Sequence, residues 1–254
     1  LAAHSAIPQH TPPGKSAPDL FFFAGAPVAP FFASIRSFVD GLNGREVSVL
    51  VNNAGIMCRD FTTTGDGLEM TVGVNYVGTW LLTNWLLPNM GRTEKARIIN
   101  TSSVTCKMGE IGDHFFKLDP EHYRRFKAYP DSKLAILMFT TELARRLQGR
   151  AITVNAVDPG VVNTGMITMH KWYDPLADIF FRPFIKSPER GAMTAILLAT
   201  SDRYVNVSGG FFRNKRQVGL PKTALDVEAC RKLWFQTEQL VAGLVGSKLK
   251  KGEN

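Results

Sequence analysis

Three β-rich runs, Val47–Val51, Arg97–Thr101 and Ala151–Val157, each pass straight into a short polar or glycine-bearing turn. The turns are Asn52-Asn53-Ala54-Gly55, Ser102-Ser103 and Asp158-Pro159-Gly160. Between the runs lie longer stretches with helical apolar spacing, from about Gly67 to Asn89 and from Tyr129 to about Gln148. This alternation leaves little choice of architecture. Parallel strands need long crossovers, and right-handed crossovers lay their helices against the sheet. The expected fold is α/β, a doubly wound parallel sheet, with its ligand crevice beyond the carboxyl ends of the strands. All three turns fall on that rim. Further elements are expected at Ser34–Leu42 (a helix with Ile35, Phe38 and Leu42 on one face) and after the Ser187 N-cap, where Pro188 and Glu189 start a helix through Ala199. Gly210–Phe212 reads as a last short strand and Asp226–Leu244 as a final helix.

The 254 residues, 44% of them hydrophobic, suffice for one domain with a sizeable core. Residues 1–32 form a proline- and alanine-rich leader, expected to be disordered or foreign to the fold apart from a strand at Leu20–Ala24. Residues 33–245 carry the regular pattern, and 246–254 are a basic tail. Three widely spaced cysteines argue against a disulfide framework and for a reducing, cytoplasmic setting; peripheral membrane association is compatible with it. The histidines show no metal-ligand spacing. The net charge of +8 comes without aromatic interleaving or a nucleic-acid-binding module, so no nucleic-acid partner is expected. No segment reads as transmembrane. Leu20–Ile35 is too short and carries Pro27 and Pro30.

Chemistry concentrates at Tyr129-Pro130-Asp131-Ser132-Lys133. Four residues are just over one helical turn, so Tyr129 and Lys133 share a face, and an ammonium beside a phenol favours phenolate. That would make a general acid/base usable near neutral pH. Tyr123 and Lys127 have the same spacing, but Tyr123 lies among Glu121, His122, Arg124 and Arg125 and reads as part of a solvated face. Taken singly, the other rim residues have plain structural readings. Asn53 and Gly55 fit an ordinary turn, Ser102 and Ser103 a cap, Asn75 a satisfied helix position, and Pro159-Gly160 a common turn dipeptide. Gly65-Asp66-Gly67 reads as a helix-start turn, since Asp66 would repel phosphate. Cys58 and Cys106 read as core or loop thiols.

Together, Leu50–Gly55, Val74–Gly78, Ile99–Ser103, Tyr129-x-x-Ser132-Lys133 and Asp158-Pro159-Gly160-x-x-x-Thr164 resemble the short-chain dehydrogenase/reductase family, in its order, over about residues 33 to 245. The wide gap between Ser103 and Tyr129 and the Phe-rich segment after Thr164 are most similar to its retinol dehydrogenase-like branch. The resemblance implies a Rossmann-like fold and an NAD(P)-dependent oxidoreductase interconverting an alcohol and a carbonyl. It implies Tyr129 as acid/base, Ser103 on the substrate oxygen, Lys133 on the nicotinamide ribose and Asn75 holding a relay water. Asn53, Ala54 and Gly55 would support the cofactor from beneath. Pro159, Gly160, the Val162 backbone and Thr164 would meet its carboxamide end. The cofactor would be NADP or NAD, and the basic balance tilts towards NADP.

Met166, Met169, Trp172, Tyr173, Ile179, Phe180, Phe181 and Phe184 suit a small lipophilic alcohol or carbonyl substrate; a helix pair packing its own core, or a partner, is the alternative. The family's opening strand and glycine-rich loop have no counterpart. Leu20–Ala26 offers one strand-end glycine and is followed by Pro27, so about the first three strands are expected to be missing by N-terminal truncation. Val47–Val51 would then be an exposed apolar edge, open to a second copy in a homo-oligomer. An inactive, truncated member acting through protein contacts is therefore the alternative function.

Overall fold

The computed structural model describes residues 2–5, 20–24, 31–92, 95–160 and 187–251. A seven-stranded sheet runs in the order β1 (Ala2–Ser5), β2 (Leu20–Ala24), β3 (Val49–Asn52), β4 (Ala96–Thr101), β5 (Ile152–Asp158), β6 (Phe211–Arg213), β7 (Arg216–Val218). The pairings from β2 to β6 are parallel, while β1 and β7 add antiparallel edges. Helices cover both faces, as the alternation requires. The strands alternate their side chains between the two. Leu50, Ile98, Val154 and Phe211 point into the larger core, with α1 (Phe31–Gly41), α3 (Gly78–Leu86), α4 (Arg125–Arg146) and α7 (Val227–Lys251). Val49, Val51, Ile99, Val157 and Phe212 point the other way, against α5 (Pro188–Thr200).

One expectation is overturned here. The β3 strand is not an exposed edge, because Leu20–Phe23 pairs in parallel with Val49–Asn52. The signal was in the sequence. The apolar run at Leu20–Ala24 satisfies the open hydrogen-bonding edge of β3, which an apolar strand buried on both faces demands.

Most elements lie within a few residues of their expected bounds. Ser187 accepts a hydrogen bond from Arg190 N–H and caps α5 as expected. The β6–β7 hairpin was not foreseen beyond its first strand. The stretch expected as one helix from Gly67 to Asn89 is divided. It comprises α2 (Met70–Val72), a π-helical turn (Gly73–Val77), α3 and a 3-10 turn (Leu87–Asn89). Glu69 caps it, accepting from Thr71 and Val72 N–H at 2.7 and 2.8 Å. Asp66, in the turn expected to start this helix, instead accepts from Phe32 N–H at 3.0 Å and ties down the first turn of α1. The α4 helix starts a turn before Tyr129 rather than at it, and takes Pro130 into its first turns. The short α6 (Lys222–Leu225) leads into α7, whose Trp234 stacks on Phe139 and meets Trp80 edge-on. The guanidinium of Arg146 lies 4.1 Å over the same indole.

Candidate active site

The parallel register aligns Asn52, Asn100 and Ala156, so β3, β4 and β5 end at a common level. Asn53, Ser102 and Pro159 each follow directly, which brings the three expected turns to one rim. Below the rim a polar ladder fixes the strands to the helices. Asn52 Nδ2 donates to Thr83 Oγ1 and Asn100 Oδ1, and Asn100 Nδ2 to Thr140 Oγ1, at 2.8–3.0 Å. Such a ladder holds its geometry because each buried group left unpaired would be costly.

Asn75 sits in the π-helical turn, a local widening that is frequent at functional sites. Its side chain is wholly engaged. Oδ1 accepts from Ile56 N–H at 2.7 Å, and Nδ2 donates to the Ile56 carbonyl and to Ser132 Oγ, both at 2.9 Å. Ser132 Oγ in turn donates to the Tyr129 carbonyl at 2.7 Å. One amide thus ties the turn after β3 to the helix turn that carries Tyr129. Its backbone carbonyl accepts from Thr79 Oγ1 at 3.0 Å.

Lys133 is buried, and its ammonium donates to the Thr101 carbonyl at 3.0 Å. It lies over the Tyr129 ring, 5.6 Å from the centroid, so the two do share a face. A Cβ placed on Gly55 would come within 3.0 Å of Lys133 Nζ and 3.5 Å of Asn75 Oδ1. A side chain there would press on the lysine ammonium, so the turn passes close to Lys133 with little room to spare. Asn53 Oδ1 accepts from Thr101 Oγ1 at 3.3 Å, and Ala54 packs partly against the larger core.

The electrostatics differ from the sequence expectation. Burial pushes the Tyr129 phenol above its ordinary value; a hydrogen bond with Ser103 opposes the rise and the Asp158 carboxylate adds to it. Lys133 does not counter this. Burial lowers its own pKa to about 8, since an ammonium sealed from water is disfavoured. Ser103 caps a 3-10 turn (Val104–Met108), and its hydroxyl also accepts from Thr105. The loop that follows is pressed onto α4. A Cβ on Gly109 would meet the Pro130 carbonyl oxygen at 2.5 Å, and Asp131 Oδ1 accepts from Glu110 N–H at 2.7 Å. Ser102 Oγ donates to the Lys133 carbonyl at 2.8 Å. Gly160 N–H donates to Asp158 Oδ1 at 2.8 Å, shaping the Pro159-Gly160 turn.

Val162, Thr164 and the Phe-rich segment after them lie outside the described residues. Tyr123 departs from its expected solvated setting. It is buried, packs edge-on against Phe61, and donates its hydroxyl to the Cys58 carbonyl at 2.7 Å. Burial raises its pKa to about 12. Charged sequence neighbours misled there, because the ring turns inward while they face water. Ser132, Thr101 and Asp131 were not foreseen as site residues. The signal for them was their place beside the Tyr–Lys pair or at a strand end. All three cysteines are free, with Cys106 and Cys230 buried.

The short chain dehydrogenase family profile matches residues 32–172, more than half of the chain. This chain belongs to that family. Retinol dehydrogenase 14 of Mus musculus is 40% identical over 214 residues, which take in 82% of this chain and 64% of that one. The chain thus falls in the retinol dehydrogenase-like branch, and it spans 63–65% of the length of the curated relatives it matches. The solved structure of an uncharacterized protein from Mycobacterium paratuberculosis superposes with a TM-score of 0.64 at 31% identity, over 82% of this chain and 71% of that one. A short chain dehydrogenase from Burkholderia cenocepacia, solved in complex with NADP, shares the fold. Its TM-score is 0.52 at 21% identity, over 72% of this chain and 69% of that one.

Proposed function

We propose that this chain carries the catalytic half of an NAD(P)-dependent oxidoreductase that interconverts a lipophilic alcohol and its carbonyl. The observation that carries the proposal is the tie from Ile56 through Asn75 and Ser132 to the Tyr129 turn, with Lys133 held over the same ring. Tyr129 donates or accepts the proton at the substrate oxygen, and Ser103, whose side chain acts on the phenol's pKa, fixes that oxygen. Lys133 uses one of its donors on Thr101, leaving two for the ribose hydroxyls. Gly55, in the turn that passes close to Lys133 Nζ, supports the nicotinamide half of the cofactor from beneath. When bound, the nicotinamide exchanges a hydride with the substrate carbon. Pro159, Gly160, Val162 and Thr164 meet its carboxamide end, and NADP is the favoured form given the net charge of +8.

Val104 and Met108, in the turn that begins at Ser103, and Phe126, three residues before Tyr129, are exposed apolar side chains close in sequence to the two reacting residues, which is compatible with a lipophilic substrate. The relative of 40% identity is named a retinol dehydrogenase, which fits a retinoid-like alcohol or aldehyde.

Titration with NADPH, followed by nicotinamide fluorescence, and then turnover of a long-chain aldehyde test the proposal together. Saturable binding with NADPH oxidation is the expected result. Binding without turnover would favour the alternative of an inactive member working through protein contacts. Absence of both would overturn the oxidoreductase reading for this chain.

A further inference from the structure

A further concavity lies on the α5 face of the sheet, beside the β6–β7 turn. It is a cavity of about 570 Å³ lined by Arg203, Tyr204, Phe212, Asn214, Lys215, Arg216 and Gln217. Its size falls in the range of small-molecule sites. Its charge is one-sided, with three cationic side chains and no acidic one among the lining residues. Of the acids near it, Asp202 lies 4.0 Å from Arg97 and Asp158 3.8 Å from Arg213. Arg203, Lys215 and Arg216 make no ion pair with any described acid.

The cations are held on a firm base. Tyr204 and Phe212 are buried, with their rings edge-to-face at 5.5 Å, and the Arg203 guanidinium lies 5.5 Å from the Tyr204 ring centroid. A guanidinium resting on an aromatic face loses less freedom when it grips an anion. Lys215 and Arg216 are set by the tight β6–β7 turn. Asn214 and Lys215 both have left-handed backbone, with φ of 51° and 63°, and Lys215 N–H donates to Thr194 Oγ1 at 3.2 Å. That conformation is one that residues with a Cβ seldom adopt. The turn therefore places Lys215 where its backbone alone would not prefer to be.

We propose that this cavity binds a phosphate-bearing ligand, with Arg203 and Arg216 as guanidinium forks and Lys215 as a point charge. Three unpaired cations around one hollow favour a group of two or more negative charges over a single carboxylate. The sources that offer this chemistry are a soluble phosphate compound and a phospholipid headgroup.

Calorimetric titration of the full chain with inorganic pyrophosphate at low salt tests the soluble source. Co-sedimentation with phosphatidylcholine vesicles containing phosphatidic acid tests the lipid source. The combined substitution Arg203→Gln, Lys215→Asn, Arg216→Gln is expected to weaken whichever binding occurs by about tenfold or more. The three changed side chains are exposed or lie at the rim, and asparagine suits the left-handed position. Arg216→Glu alone serves as a second variant, and far-ultraviolet dichroism confirms folding of both. Two results would each overturn the proposal: no binding to either probe, or binding that survives both variants.

Discussion

Lys133 is the residue on which burial and chemistry pull hardest against one another. Burial depresses its pKa from 10.5 to about 8 in the folded protein. Between those values the unfolded chain holds more protons than the folded one, so stability rises with pH across that window; below it the burial penalty is fully present. Lys133→Met removes that penalty. Thermal melts should therefore show it gaining more, relative to the parent, near pH 7 than near pH 10, and an equal effect at both would contradict the assigned burial. Gly55 is the complementary case. In Gly55→Ala the new methyl would crowd Lys133 Nζ at 3.0 Å and push it from the Thr101 carbonyl. Losing that buried, charge-assisted hydrogen bond is expected to cost about 1–3 kcal/mol of stability, read as a lower unfolding midpoint, and an unchanged midpoint would mean that the lysine shifts without losing its bond. The Tyr–Lys spacing made the shared face legible in the sequence. The direction of the Tyr129 shift was not, because spacing says nothing of desolvation. It took the buried setting to show that the phenol rises rather than falls.

At the scale of elements, two contacts hold the site helices in place. Asn75 bridges the turn after β3 and the first turns of α4 through three hydrogen bonds. Asn75→Ala leaves Ile56 N–H without its acceptor, an expected loss of about 1–3 kcal/mol in denaturant unfolding. A change below that range would mean that the π-helical turn relaxes to cover the loss. Trp234 joins α7 to α3 and α4 through Trp80, Phe139 and Arg146. Trp234→Ala should cost about 3–5 kcal/mol, detectable as a lower unfolding midpoint. The helices that frame these contacts could be read from apolar spacing and from caps such as Ser187. The π-helical turn could not, because residues 71–83 are all buried and leave no amphipathic phase for an extra residue to disturb. Tyr123 was misread for a related reason. A one-dimensional run of charges does not reveal that a single ring among them turns inward onto Phe61.

At the scale of the molecule, the parallel register of β3 to β5 makes three separate turns into one rim, and that much followed from strand–turn order alone. The partner of β3 did not. Leu20–Ala24 was expected as a strand, but within a leader foreign to the fold, and the pairing shows it closing that edge. Among the described residues, no helix is long and apolar enough to cross a membrane. The family assignment rests on the match over residues 32–172 and on the relatives' identity; the proposed chemistry rests on the Tyr129 hydroxyl. The most direct test is a single-turnover comparison of the parent chain with Tyr129→Phe, each saturated with NADPH and mixed with a long-chain aldehyde. If Tyr129 is the proton donor, NADPH binds both proteins alike while its oxidation falls by about a hundredfold or more in the variant. Equal oxidation rates in the two would remove Tyr129 from the reaction.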